Sequence, residues 1–242
     1  MKFDKLIPGS QHVQHKNWHL VHAPSLSLRW LIELLELNLP VNKEDDERVI
    51  KLEASGLILK LDSDIGPIAA KYYRKTTVKR VMRNTFGNTR ARRCWSYAHY
   101  LLSQGLNTPE PLAFIEERKM GLRLRSWYVS RFDESATCDE YYLNTKSITP
   151  AMSNNATAIV DLFIQMRRCQ LSHGDFKATN ILMTGNDPSL IDLDSMKYHA
   201  KENTAERMWR RDIHRFMDNW RERYDVYKKF KQAFLKRGIE VS

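Results

Sequence analysis

The chain has 242 residues, 42% of them hydrophobic, with nine glycines and eight prolines, so it can fold around a sizeable core and is not a disordered polypeptide. Its 39 lysines and arginines exceed its 29 acidic residues and give a net charge of +10, which favours anionic partners such as a nucleotide, a phosphorylated glycolipid or an acidic membrane surface. The sequence has no aromatic RNA-recognition pattern and no zinc-ligand spacing, so we rank nucleic acid well behind these partners.

The sequence gives no sign of secretion or of a membrane-spanning segment. Its first five residues, Met1 to Lys5, lack the apolar core of a signal peptide. The longest apolar stretch, residues 26–39, is interrupted by three charged side chains and is too polar to cross a bilayer. The cysteines are odd in number and are not spaced as metal ligands, which is typical of reduced thiols in a cytosolic protein: they are Cys94, Cys138 and Cys169.

An amphipathic helix is predicted directly after Pro24-Ser25, because leucines and an isoleucine recur there at helical spacing. Such an apolar stripe is more often typical of a helix that packs on its own domain than of a membrane anchor. With the residues before it, this helix predicts an N-terminal helical extension over residues 1–45.

Three strand-like runs follow, at residues 48–52, 57–61 and 67–73. The third run presents Lys71 two residues after Ala69. In kinases, a lysine on the third strand reaches the α- and β-phosphates while a small residue faces adenine, so both residues are candidates for nucleotide binding. The loop at Ser55-Gly56 could offer backbone N–H groups to phosphate, although a single glycine is a weak signal. A lysine exposed on an ordinary strand is the alternative interpretation of Lys71.

The stretch from residue 71 to residue 93 contains nine basic residues and no acidic one. A solvated surface normally mixes both signs of charge. We therefore predict a positive face beside the nucleotide site that meets an anionic lipid or its headgroups. A basic surface without a dedicated ligand is the alternative.

The elements predicted next are a helix over residues 91–104 and strands over residues 112–115 and 124–132, on either side of a turn at residues 119–121. The two strands would complete the N-terminal sheet, and residues 130–133 would lie near the hinge at which a kinase binds adenine. Residues 134–150 show no clear period. A helix that begins near Asn154 or Asn155 and ends at Arg168 would then deliver the chain to the catalytic segment.

The most informative segment is residues 171–194. Asp175 is followed two residues later by Lys177 and five residues later by Asn180, which is the spacing of a kinase catalytic loop. Asp192 comes twelve residues after Asn180, at the end of a short apolar run, where a kinase carries its metal-binding aspartate. Two short strands around the turn residues 185–188 predict a hairpin with Asn180 and Asp192 at its open end.

These four side chains supply what phosphoryl transfer requires. Asp175 would accept or orient the proton of the acceptor hydroxyl, and Lys177 would neutralise charge on the transferring phosphoryl group. The amide oxygen of Asn180 and the carboxylate of Asp192 are hard oxygen donors that suit Mg²⁺. We therefore expect ATP and Mg²⁺ as cofactors. A chance match beside an ordinary hairpin is the alternative.

Two further helices are predicted near the C-terminus, over residues 204–221 and 225–236. The first contains Arg211-Asp212. This pair is a candidate to brace the catalytic loop by hydrogen bonds, and a surface ion pair is the equally weighted alternative.

Three other segments carry a resemblance to a known family: YYR at residues 72–74, NTRARRCW at 88–95 and GLNTPEPLA at 105–113. With the catalytic motifs, they resemble the lipopolysaccharide kinase family, which includes the Kdo and heptose kinases and is distantly related to protein kinases and RIO kinases. The resemblance implies ATP- and Mg²⁺-dependent phosphorylation of inner-core lipopolysaccharide sugars on the cytoplasmic side of the inner membrane. It makes Lys71 the phosphate-binding lysine, Asp175 the catalytic aspartate, and Asn180 and Asp192 the metal ligands.

The chain departs from this family at one position. The helix after the lysine strand usually carries a glutamate that pairs with the lysine, and here that position falls on Cys94. No acidic residue lies between Asp64 and Glu110. Lys71 must then be oriented by phosphate or by another group, which keeps a weak or inactive kinase open.

Together these observations predict an α+β, bilobal protein-kinase-like fold, with a small N-terminal antiparallel sheet lobe over residues 46–133 and a mainly helical C-terminal lobe over residues 134–242. The expected function is phosphorylation of a Kdo or heptose hydroxyl of the lipopolysaccharide inner core by a cytoplasmic protein, peripheral on the inner membrane. The expected partner is the lipopolysaccharide core or another anionic glycolipid. The alternatives are a kinase of the same fold for a small molecule or a protein Ser/Thr, and a nucleotide-binding pseudokinase scaffold.

Overall fold

The computed structural model describes the chain except for residues 1–6, 8, 38, 40–45, 54–55, 75–76, 78–80, 83, 86, 145–149, 186 and 242. For residues 53, 150, 151 and 153 it describes the backbone alone.

The N-terminal half of the chain forms an antiparallel sheet with the strand order β1-β2-β6-β7-β5-β4-β3. Its strands are β1 (Gln11–His15), β2 (Trp18–His22), β3 (Val49–Glu53), β4 (Gly56–Leu61), β5 (Ile68–Tyr73), β6 (Pro111–Lys119) and β7 (Leu122–Arg131). The three strand-like runs of the sequence correspond to β3, β4 and β5. β3 pairs antiparallel with β4, and β4 pairs antiparallel with β5.

The predicted turn between β6 and β7 is confirmed. Lys119 pairs with Leu122, and both residues between them, Met120 and Gly121, have positive φ angles of 51° and 77°. A two-residue hairpin turn requires this backbone conformation, because its twist then matches that of the strands. Strand β7 of this hairpin pairs with β5, the strand that carries Lys71.

One face of the sheet packs against helix α1 (Leu28–Glu36), which is the amphipathic helix predicted from the sequence. Leu31 and Leu34 of α1 are buried, and the Trp30 indole N–H donates a hydrogen bond of 2.8 Å to the Asp62 carbonyl. The segment for which only a helical extension was expected also contributes β1 and β2. β1 pairs with β2, and β2 pairs with β6, so this hairpin extends the sheet beyond β6.

The C-terminal half is mainly helical. Its helices are α3 (Cys138–Leu143), α4 (Pro150–Arg168), α5 (Glu202–Met217) and α6 (Tyr224–Lys236), and helix α2 (Arg90–Ser103) precedes them between β5 and β6. Helix α4 packs against α5 and α6 around buried aromatic rings. Short strands complete this half: β8 (Leu171–Ser172) pairs with β11 (Lys197–Tyr198), and β9 (Ile181–Thr184) pairs with β10 (Asp187–Leu190).

Helix α3 lies in the segment that showed no clear period. Its start has a signal in the sequence nevertheless, because Thr137 and Glu140 have the spacing of a capping box. The Glu140 carboxylate accepts a hydrogen bond of 2.9 Å from the Thr137 N–H. Helix α2 ends at Ser103, close to the predicted end, and Gly105 follows it with φ +72°.

The chain divides into two compact units. One contains residues Lys2–Tyr100 and Pro109–Phe132, and the other contains Leu101–Thr108 and Asp133–Ser242. The fold is therefore α+β, with an antiparallel sheet in the N-terminal unit and helices in the C-terminal unit, as predicted. The division into residues 1–45, 46–133 and 134–242 stays a prediction of the sequence.

Candidate active site

The predicted catalytic residues lie in a loop between β8 and β9. The Lys177 N–H donates to the Asp175 carbonyl at 2.9 Å, and the Asn180 N–H donates to the Lys177 carbonyl at 3.0 Å. Phe176, between the two predicted catalytic residues, is fully buried and stacks on Phe163 of α4 with ring centroids 4.1 Å apart. The loop is therefore anchored by its apolar residue, while Asp175 and Lys177 remain about a third exposed.

Asp212 of α5 braces this loop, as one of the two interpretations of Arg211-Asp212 predicted. Its carboxylate accepts hydrogen bonds from the His173 N–H at 2.6 Å and the Gly174 N–H at 3.0 Å. Asp212 is buried, with 3% of its surface exposed. Burial raises the pKa of its carboxyl, and the two N–H donors and the charge of Arg211 oppose that shift. The buried carboxylate thus satisfies two backbone donors that the loop could not pair internally.

Gly174 allows the loop to approach the turn that follows Asp192. Its φ angle is +83°, in the left-handed region, and a Cβ atom there would lie 2.7 Å from the Ser195 carbonyl oxygen. Any other residue at position 174 would push these two backbone segments apart. The glycine therefore brings the two parts of the predicted site together.

The carboxylate of Asp175 lies between two cations. The Lys177 Nζ atom is 2.8 Å from its Oδ2 atom, and the Arg215 Nε atom is 3.4 Å from its Oδ1 atom. The catalytic roles of Asp175 and Lys177 stay predictions of the sequence. Arg215 did not emerge from the sequence, although its place three residues after Asp212 puts it on the helix side that faces the loop.

Asn180 and Asp192 flank the open end of the β9–β10 hairpin, as the sequence predicted. The Ile191 N–H donates to the Asn180 carbonyl at 3.0 Å, and the His173 ring Nε2 donates to the Ile191 carbonyl at 3.0 Å. Asp192 has φ 60° and ψ 51°, a left-handed conformation that a non-glycine residue seldom adopts. This turn redirects the chain directly after the hairpin.

The donor atoms of these two residues fit a magnesium ion. The Asn180 side-chain amide nitrogen donates to the Asp175 carbonyl at 2.9 Å, which leaves its amide oxygen as the atom available to a cation. The Asp192 carboxylate supplies further oxygen atoms of the kind that Mg²⁺ prefers. Among the residues that the structure describes, no group of three or more His, Cys, Asp or Glu side chains is arranged to hold a metal.

The predicted nucleotide-binding residues lie in the N-terminal unit. Ala69 and Lys71 alternate on β5 with Ala70 and Tyr72, and the latter two belong to the hydrophobic cluster that includes α1. Ala69 and Lys71 therefore face the opposite side of the sheet, as nucleotide binding requires. Their roles stay predictions.

The other two nucleotide-binding candidates are less informative. Gly56 is the first residue of β4 and pairs with Tyr73. A Cβ atom there would collide with the Tyr72 carbonyl, so the close approach of two strands already accounts for this glycine. Ser55 lies outside the described residues.

Tyr73 contacts both Lys71 and Cys94, the residue at the position where the resemblance places a glutamate. The Lys71 Nζ atom is 5.2 Å from the centroid of the Tyr73 ring, and the Tyr73 hydroxyl is 3.3 Å from the Cys94 Sγ atom. Cys94 and Tyr73 are both buried. The ring of Tyr73 thus contacts the predicted phosphate-binding lysine, and Cys94 contacts that ring.

This geometry predicts different effects for two substitutions of Tyr73. Tyr73→Phe keeps the aromatic face beside Lys71 and should leave the KM for ATP nearly unchanged. Tyr73→Leu removes the face, and should raise that KM by roughly two- to thirtyfold, the factor that corresponds to about 0.5–2 kcal/mol for one cation–π contact. Steady-state kinetics over a range of ATP concentrations measures both, with thermal unfolding as the check that each variant folds. Equal KM values for the two variants would show that the Tyr73 ring does not support ATP binding by Lys71.

A comparison with solved structures identifies the fold. The chain is similar to a structure described as "WaaP in complex with acyl carrier protein", with a TM-score of 0.55 and 18% sequence identity over 79% of each chain. At this identity the similarity establishes the fold alone. Together with the sheet and the helical unit described above, it defines the class of fold to which the protein belongs.

The family follows from the sequence comparison. Residues 60–236 match the model of the "Lipopolysaccharide kinase (Kdo/WaaP) family", and the chain belongs to this family. The match contains Lys71, Asp175, Lys177, Asn180 and Asp192. A comparison with curated proteins found no match. Membership of a kinase family implies phosphotransferase activity.

Proposed function

We propose that this protein transfers the γ-phosphate of ATP to a sugar hydroxyl of the lipopolysaccharide inner core, on a Kdo or a heptose residue. The observation that carries the proposal is the loop braced by Asp212, which presents Asp175 and Lys177 next to Asn180 and the Asp192 turn, in a member of the lipopolysaccharide kinase family. Each residue type in this loop matches one requirement of phosphoryl transfer.

Asp175 acts on the acceptor. Its carboxylate accepts the proton of the sugar hydroxyl as the hydroxyl oxygen forms a bond to the γ-phosphorus and the bond to the bridging oxygen of ADP breaks. The Lys177 ammonium, 2.8 Å from that carboxylate, is close enough to neutralise charge on the phosphoryl group in transfer. Because Asp212 fixes the loop backbone through the His173 and Gly174 N–H groups, Asp175 needs little reorganisation to act.

Nucleotide and metal binding would use the remaining predicted residues. Asn180 and Asp192 would hold Mg²⁺, which neutralises negative charge on the phosphates when it is bound. Lys71 would contact the α- and β-phosphates, and Ala69 would leave room for adenine.

The proposed location is the cytoplasmic face of the inner membrane, where the core acceptor is a membrane glycolipid. The net charge of +10 supports attraction to an anionic surface. Four of the nine basic residues between residues 71 and 93, namely Lys75, Lys79, Arg80 and Arg83, lie outside the described residues. Within the described ranges, no helix combines the length and the apolar character that a bilayer-spanning segment needs. Since the similar solved structure is a complex with acyl carrier protein, we include that protein among the partners to be tested.

A pseudokinase scaffold is the second candidate, and Cys94 is the observation that favours it. Cys94 occupies the position where the family resemblance places a glutamate, and it contacts Tyr73. A kinase of the same fold with a small-molecule or protein acceptor is the third. The full set of Asp175, Lys177, Asn180 and Asp192 argues against an inactive protein.

Phosphate transfer from labelled ATP with Mg²⁺ to purified lipopolysaccharide cores tests the proposal. We expect label on a core sugar, and parallel cores that end in Kdo or in heptose identify which sugar accepts it. Transfer to a protein or a small molecule alone would favour a kinase with that acceptor over a lipopolysaccharide kinase. Nucleotide binding without transfer to any acceptor would favour the pseudokinase scaffold.

A further inference from the structure

A row of three arginines on α5 leads to the predicted catalytic aspartate. Arg207, Arg211 and Arg215 are four residues apart, so they lie on one side of the helix, a turn from each other. All three are exposed. The last of them is the arginine whose Nε atom lies 3.4 Å from Asp175 Oδ1. We call these residues the arginine row.

The arginine row differs from its basic neighbours in its ion pairs. Arg210 and Arg167 both pair with Glu206, at 2.8 Å and 2.6 Å, and Arg221 pairs with Asp218 at 2.7 Å. Within the part of the chain that the structure describes, Arg207 and Arg211 form no ion pair, and the carboxylate next to Arg215 belongs to Asp175. The nearby carboxylate of Asp212 is buried and accepts hydrogen bonds from the His173 and Gly174 N–H groups, so the exposed guanidinium groups of the row can still bind an external anion.

The positive surface continues beyond Arg207. His199 hydrogen-bonds to the Ser172 hydroxyl at 2.7 Å through its Nε2 atom. Burial lowers the pKa of His199, and the charges of Lys197 and Arg207 lower it further. Lys197 of β11, an exposed residue, therefore lies near Arg207 and adds a positive charge at that end of the row.

We propose that the arginine row binds the anionic groups of the acceptor, and that Arg215 contacts a phosphate or a carboxylate next to the hydroxyl that is phosphorylated. This inference rests on the proposed function. A hydroxyl that gives its proton to Asp175 must lie within hydrogen-bond distance of it, so its neighbouring groups come within reach of Arg215. The planar guanidinium binds phosphate and carboxylate through two parallel hydrogen bonds, and is suited to this contact.

The position of the arginine row favours the acceptor over a partner protein as its ligand. The row ends at the reacting carboxylate, where the acceptor hydroxyl must be placed next to the γ-phosphate. A protein that docks on the basic surface has no need to reach Asp175. The ligand class is therefore an acidic or phosphorylated glycolipid core.

The test compares acceptor kinetics of Arg215→Gln, Arg211→Gln and the wild-type chain, with intact lipopolysaccharide and with the same material after chemical removal of its phosphates. For Arg215→Gln we expect the acceptor KM to rise about ten- to a hundredfold, the loss of one charged hydrogen bond, while the KM for ATP stays constant. Arg211→Gln should give a smaller rise. If the rise in acceptor KM is smaller with the dephosphorylated acceptor, the ligand of Arg215 is a phosphate. If the rise is the same with both acceptors, the ligand is a sugar carboxylate.

The matched control is Arg210→Gln, which removes an exposed arginine of the same helix whose partner Glu206 keeps its pair with Arg167. It should leave the acceptor KM unchanged. An unchanged acceptor KM in both Arg211→Gln and Arg215→Gln would overturn the inference. A fall in kcat alone in Arg215→Gln would also overturn it, because Arg215 would then be a positioning residue for Asp175. Loss of acyl carrier protein binding by these variants, with normal acceptor kinetics, would overturn it as well.

Different results would contradict the proposed function and the proposed role of the arginine row. A wild-type chain that transfers no phosphate to either acceptor contradicts the proposed function. Calorimetric binding of intact lipopolysaccharide in detergent, without nucleotide, then still tests the row. Weaker binding by Arg211→Gln than by Arg210→Gln supports it, and equal binding overturns it.

Discussion

Replacing Asp175 by asparagine is expected to abolish measurable phosphate transfer while ATP binding is retained. The substitution keeps the size of the side chain and an oxygen that can accept a hydrogen bond from Lys177, but it removes the carboxylate that takes the proton. A positioned base contributes about 10²- to 10⁴-fold to the rate of such reactions, and kcat should fall by that factor. The KM for ATP should change little, because Asp175 contacts the acceptor and not the nucleotide in the proposed reaction.

Single-turnover transfer of labelled phosphate measures this loss, and fluorescence titration with ATP and Mg²⁺ measures binding. Asp218→Asn is a suitable control, because it removes an exposed carboxylate of the same region that pairs with Arg221. It should transfer phosphate normally. Equal transfer by the wild-type chain and by Asp175→Asn would rule out Asp175 as the base.

Replacing Asp192 by asparagine is expected to weaken the binding of the metal–nucleotide complex itself. Asparagine tolerates the left-handed conformation found at position 192 better than other non-glycine residues, so this change removes a charge with little backbone strain. Residues that merely hydrogen-bond to a metal ligand already change affinity by about 10- to 100-fold when substituted, so loss of a ligand charge should exceed roughly tenfold. Raised Mg²⁺ concentrations should restore part of the activity.

Nucleotide titrations at several Mg²⁺ concentrations separate this effect from unfolding. Asp187→Asn provides the control, since Asp187 is exposed at the closed end of the same hairpin and carries the same charge. Its Mg²⁺ dependence should match the wild-type value. If Asp192→Asn binds ATP with an unaltered Mg²⁺ dependence, Asp192 is not a metal ligand in this protein.

Much of the site could be predicted from the sequence because it depends on short-range spacing. Asp175, Lys177 and Asn180 belong to one loop, and the β9–β10 hairpin brings Asp192 beside that loop with few residues in between. Hairpins and helix ends of this kind are specified by local turn and periodicity signals, which is also why α2 and the β6–β7 turn were predicted close to their positions.

What the sequence could not predict depends on contacts between distant segments. Strand β2, which pairs with β1, also pairs with β6, almost a hundred residues away, and no local sequence pattern specifies such a distant strand partner. Likewise Tyr73 contacts Cys94, and Arg215 contacts Asp175, across separations that only a folded backbone closes.

The sequence by itself therefore determined the class of chemistry: the identities and spacing of Asp175, Lys177, Asn180 and Asp192, which form one continuous segment of chain. The tertiary structure decided which residues surround that segment. It buried Asp212, which holds the loop by two hydrogen bonds instead of forming a surface ion pair, and it placed Arg215 beside the carboxylate of Asp175. The physical reason is that burial and long-range pairing arise from the packing of whole helices and sheets, and a side chain's partner across that packing is not encoded in its own neighbourhood.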